Sequence, residues 1–133
     1  MKKHQLFLPW LIVCIATAGS LFFSEIYHSE PCTLCWYQRV IMFPLAIILG
    51  IAAFRNAYRI IIYILPLSLI GFAIAAYHVI MVSFFSKAPF CAACTLKSMP
   101  NPLAFPLLSL FAFLVLNLLL IWLYRNHSRN KKL

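Results

Sequence analysis

Four predominantly apolar runs, Leu6 to Phe23, Trp36 to Phe54, Ile60 to Phe85 and Leu103 to Tyr124, constrain this chain more than any other feature. A helix needs roughly 20 predominantly apolar residues to cross about 30 Å of hydrocarbon, and each run is about that long. Hydrocarbon offers no water to satisfy backbone N–H and C=O groups, so a spanning segment must be a helix or part of a closed barrel. Runs of this length exclude the short strands of a barrel. The expected fold is therefore all-α, a four-transmembrane-helix bundle. Of the 133 residues 65% are hydrophobic and 10% charged, which leaves no room for a separate soluble domain. Residues 1–133 are expected to form a single membrane domain, with spans near 6–23, 36–54, 60–85 and 103–124 and with longer connections near 24–35 and 86–102. No internal repeat or low-complexity segment interrupts it.

The placement of charge orients the bundle. Lys2 and Lys3 precede the first run, Arg55 and Arg59 join the second to the third, and Arg125, Arg129, Lys131 and Lys132 follow the fourth. Cations collect in the cytoplasmic ends and loops of membrane proteins, so both termini and the Arg55 to Arg59 link are expected to be cytoplasmic. The other side receives Glu25 and Glu30, the only acids, with Arg39, Lys87 and Lys97. The net charge of +9 thus reports topology, and no nucleic-acid partner is expected, because such a face needs its cations clustered. Met1-Lys-Lys, an apolar run and Ala16-Thr-Ala18 resemble a cleavable signal peptide. Cleavage there would leave an odd number of spans, so the first helix is expected to be retained.

The two outward connections hold the chemistry. Cys32 and Cys35 lie in one and Cys91 and Cys94 in the other, each a C-x-x-C. Two crossings separate the pairs, so they share the non-cytoplasmic face, where disulfides persist. Cys14, mid-span in the first run, reads as a small buried apolar residue. Two C-x-x-C pairs on one side fit a four-cysteine zinc site, two structural disulfides, or a redox relay in which one thiol resolves a mixed disulfide formed by the other. The neighbours favour the relay, with no resident metal. Pro31 suits a helix's first turn and would put Cys32 and Cys35 there, where the positive end of the helix dipole favours thiolate. Arg39 follows Cys35 by four residues, one turn deeper on the same face. A cation at that depth stabilises a thiolate; a zinc site would not need it.

A dithiol oxidised at a membrane edge needs an acceptor for two electrons and two protons. The chain has no glycine-rich dinucleotide fingerprint and no paired histidines for haem. A quinone, ubiquinone or menaquinone, accepts that stoichiometry and dissolves in the bilayer. Trp36, Tyr37 and Phe43 could line its ring. His78 is the one imidazole inside the third run, and an ionisable group in hydrocarbon is a functional candidate by default. Asn117 reads instead as interhelical glue.

With four spans, Cys32-Thr-Leu-Cys35-Trp-Tyr-Gln-Arg39 opening the second, and a cysteine pair in the second outward connection, the whole chain resembles the DsbB/BdbC family of disulfide bond formation proteins. These are bacterial inner-membrane thiol:quinone oxidoreductases. The resemblance implies an enzyme of the cytoplasmic (inner) membrane that reoxidises a DsbA-like, thioredoxin-fold partner and passes electrons to membrane quinone. It assigns Cys91 to attack by the partner, Cys94 to resolution, and Cys35 to the quinone beside Arg39. It also implies a quinone-site histidine thirteen residues before the first cysteine of the second loop, which is where His78 stands relative to Cys91. Better-known members separate the second-loop cysteines widely, whereas Phe90-Cys-Ala-Ala-Cys94 is compact, as in shorter members. A disulfide between the loops, such as Cys32 to Cys94, would then require the second loop to fold over the first, since bridged Cα atoms lie within about 7 Å. Two alternatives remain: a vitamin K epoxide reductase-like enzyme, whose C-x-x-C is expected near the last spans, and a non-enzymatic protein holding metal through four cysteines.

Overall fold

The computed structural model describes residues 4–27, 33–84 and 104–132. Among these are four α-helices: α1 (Phe7–Tyr27), α2 (Thr33–Arg55), α3 (Ile61–Phe84) and α4 (Ala104–Lys131). A single 3-10 turn, Tyr58–Ile60, leads into α3. Three stretches, Leu34–Arg55, Tyr58–Phe84 and Pro106–Lys131, are long and apolar enough to cross a membrane, and Phe7–Phe22 is a shorter apolar helical stretch. The protein is an all-α, multi-pass membrane helix bundle. Its helices outrun the apolar stretches of the sequence: α1 continues through Glu25 to Tyr27, and α4 through the exposed Arg125 and Arg129 to Lys131. Helical backbone satisfies its own hydrogen bonds in hydrocarbon and in water alike, so the end of the apolar run need not end the helix.

Each helix is flanked by two others: α1 by α2 and α4, and α3 by the same two. The contacts that set register step in opposite directions along neighbouring helices. Phe7 meets Phe54, Trp10 lies against Gly50, and Ser20 meets Arg39 between α1 and α2. Ser68 meets Asn117 and Gly71 meets Phe113 between α3 and α4. Both pairs are therefore antiparallel. The turn from α2 to α3 is tight because Asn56 takes a left-handed conformation (φ 52°), and the Ala57 N–H donates to the Ala52 carbonyl at 3.1 Å. That is a helix C-terminal motif in which asparagine substitutes for the usual glycine.

Apolar burial drives little association here, since lipid tails are as apolar as leucine; close packing and interhelical hydrogen bonds decide which faces meet. On α3 the buried residues are Ile61, Ile64, Ser68, Gly71, Ala75 and His78, a stripe spaced alternately by three and four residues. Its middle is small, which lets α4 approach. A Cβ on Gly71 would lie 2.7 Å from Phe113 Cζ, so Phe113, itself fully buried, occupies the space that a side chain would take. Asn117 donates from Nδ2 to the Ser68 carbonyl at 3.4 Å and to the Phe113 carbonyl at 2.9 Å, the interhelical glue its position suggested. Pro44 and Pro66 interrupt the hydrogen-bond ladders of α2 and α3 on exposed faces, away from these contacts.

One end of the bundle is aromatic and basic. Phe7, Trp10 and Phe54 form a triangle of edge-on rings with centroids 5.6–5.9 Å apart. Tyr58 stacks on His127 at 4.6 Å. Arg55, Arg59, Arg125 and Arg129, all exposed, lie at this end. The beginning of α2 and the end of α3 lie at the other.

Candidate functional site at the start of α2

α2 begins at Thr33, two residues after Pro31, so Cys35 falls in its first turn and is partly buried. Arg39 follows one turn deeper on the same face. Its guanidinium is held by α1: Nε donates to Ser20 Oγ at 3.1 Å and Nη2 to the Ser20 carbonyl at 2.9 Å. A planar guanidinium fork suits such a two-point grip, where an ammonium would offer a point charge. The two bonds leave further N–H donors of the five for another acceptor. Arg39 is thus tied to a neighbouring helix rather than extended freely along the surface.

Between Cys35 and Arg39 lies Gln38, which sequence reasoning did not single out. It heads the inward stripe of α2 that continues through Leu45, Leu49 and Ala52, and it is 7% exposed. Its Nε2 is buried and has no hydrogen-bond partner among the described residues. Ser20 was missed as well. The signal for Gln38 was its spacing, seven residues before Leu45 on a helix whose inner face repeats every seven. No sequence signal marks Ser20, because its role depends on which helix lies beside α2.

His78 is buried at 1% exposure on the inward stripe of α3. It stands six residues from the end of α3, as Arg39 stands six from the start of α2, which places both about 9 Å along their helices from that end. The register linking Ser68 to Asn117 and Gly71 to Phe113 carries on to set His78 level with Pro106, in the first turns of α4. Trp36 and Tyr37 are more than half exposed and Phe43 is 41% exposed, so their rings lie on the outer surface of α2. Cys32, Cys91 and Cys94 fall outside the described residues, and with them the geometry between the two cysteine pairs.

A quinone presents an apolar body and carbonyl oxygens that only accept. The residues at this end supply donors for it: the remaining Arg39 N–H groups and the buried Gln38 amide, which meets no acceptor among the described residues. These residues fit such a group.

The family model described as Disulfide bond formation protein DsbB matches residues 2–117. The chain belongs to the DsbB family. Relatives in the family agree along most of the chain. A probable disulfide formation protein of Deinococcus radiodurans is 39% identical, with 91% of this chain and 89% of that protein aligned. One from Metapseudomonas resinovorans is 38% identical over 94% and 92%. A third, from Chlamydia trachomatis serovar D, is 52% identical over 79 residues, which are 59% of this chain and 58% of that relative's length. No solved structure matches. Membership in the DsbB family supports an enzymatic, oxidoreductase role and implies the use of quinone.

Proposed function

We propose that this protein is a membrane thiol:quinone oxidoreductase that reoxidises a DsbA-like, thioredoxin-fold partner outside the cytoplasm. The observation that carries the reading is the first part of α2, where Cys35 lies one turn above an arginine gripped by Ser20 of α1. In this reading all four helices span, both termini are cytoplasmic, and the two cysteine pairs face outward. The collection of Arg55, Arg59, Arg125 and Arg129 at the opposite end of the bundle from Cys35 supports that orientation.

The relay follows from thiol–disulfide exchange. A thiolate of the reduced partner attacks Cys91, forming a mixed disulfide and releasing Cys94. The partner's second thiolate displaces Cys91, so the partner leaves as a disulfide and Cys91 and Cys94 as thiols. Cys94 then attacks Cys32 of the Cys32–Cys35 disulfide, and Cys91 resolves the inter-loop bond, leaving Cys32 and Cys35 reduced. Bound quinone supplies the acceptor for two electrons and two protons. Cys35 would be the thiol nearest the quinone, its thiolate favoured by the helix N-terminus and by the Arg39 charge. In this reading His78, at the same depth, hydrogen-bonds a quinone carbonyl, and Trp36 covers the turn from the lipid side.

The test is optical. Purified protein in detergent is given reduced DsbA-like partner and a short-chain quinone, and quinone reduction is followed with Cys35→Ser and Cys91→Ala alongside. Turnover in the wild type, lost in Cys35→Ser, with no mixed disulfide in Cys91→Ala, is expected. Undiminished turnover in either variant, or none in the wild type with any quinone, would overturn the relay.

A further inference from the structure

A buried amide N–H without an acceptor is costly in any protein, and in hydrocarbon water cannot relieve it. Gln38 carries such a group, more than nine-tenths buried, at the outer end of the α2 core stripe and three residues after Cys35. Its neighbour Arg39 points to α1. Successive helical residues diverge by about 100°, so the two side chains leave α2 in different directions below Cys35. The guanidinium comes from the α1 side and the amide from the bundle interior. Among the described residues no acceptor reaches this amide, and a quinone carbonyl is an acceptor that enters a membrane protein from the bilayer.

We propose that Gln38 binds the quinone, donating a hydrogen bond from its side-chain Nε2–H to one of the two carbonyl oxygens. This rests on the quinone reading above and adds the residue that decides which carbonyl faces inward. Because the amide is uncharged, its grip does not depend on pH. It also leaves the Arg39 charge available to the Cys35 thiolate.

The decisive variant is Gln38→Met, which keeps length and flexibility but removes the donor. Infrared spectra are taken of the full-length protein loaded with a short-chain ubiquinone carrying an isotopic carbon label in one carbonyl or the other. In the wild type one carbonyl band should lie below its position in detergent alone because of the hydrogen bond. In Gln38→Met that band should return toward the free position, and KM for the quinone should rise about fivefold, the worth of one neutral hydrogen bond. The variant should melt no lower than the wild type, since a buried donor without a partner contributes nothing to the fold. A shifted band that persists in Gln38→Met would remove Gln38 from the site and leave the quinone reading standing. Absence of quinone binding by the wild type would instead sink that reading itself. A marked drop in melting temperature with the band unmoved would make Gln38 a packing residue.

Discussion

Arg39 ties α2 to α1 through one side chain. Its two bonds to Ser20 fix the guanidinium one turn below Cys35 and leave donors over. Arg39→Met removes the charge and both bonds. A hydrogen bond to a charged group contributes about 1.5–3 kcal/mol, so quinone turnover is expected to fall on the order of tenfold to a hundredfold. Oxidation of the partner in a single turnover should survive, because the proposed relay gives that step to Cys91 and Cys94, more than fifty residues along the chain from Arg39. Arg39→Lys should fall between the two, since an ammonium keeps the charge but cannot hold both Ser20 oxygens in one plane. Stopped-flow assays of the two half-reactions separate these outcomes, and equal loss of both steps would assign Arg39 to structure alone.

At the scale of elements, the pairing of α3 with α4 rests on shape. Gly71 lets the Phe113 ring lie against the α3 backbone, and Asn117 reaches the Ser68 carbonyl one turn away. Gly71→Ala puts a methyl where the ring stands, and overpacking of this kind costs about 1–3 kcal/mol. Asn117→Leu should cost less, about 0.6 kcal/mol, the average worth of an interhelical hydrogen bond in a membrane protein. Thermal unfolding in detergent would rank the two. Phe113→Leu in the Gly71→Ala background should recover part of the loss, whereas additive losses would show that the ring and the glycine do not meet. The inward stripe of α3 ends at His78, so loosening this interface should also weaken quinone turnover.

At the scale of the molecule, antiparallel packing divides the bundle into two ends of different chemistry. The basic, aromatic end gathers the link after α2 and the close of α4; the other gathers Cys35, Arg39 and His78. Reporter domains inserted at Ala57 and fused after Lys132 are expected to be active on the cytoplasmic side, and one inserted between residues 86 and 102 on the opposite side. Reporters at Ala57 and after Lys132 that disagree would break the four-span topology, and with it the sharing of one face by the two cysteine pairs.

What the sequence determined by itself was whatever depends on composition along one segment. Run length demanded helices, while the cations and the C-x-x-C with Arg39 one turn on set the expectations for sidedness and for the site of the chemistry. Even the small stripe Ser68, Gly71 and Ala75 was present in the letters, but α3 is apolar on every side, so no periodic contrast between faces revealed which one turned inward. Packing against α4 chose the face. The partner of Arg39 is on α1, nineteen residues away, and Gln38 is buried because of what surrounds α2. A polar side chain's role in a membrane is set by which donors and acceptors reach it from other helices, and that is a property of packing in three dimensions.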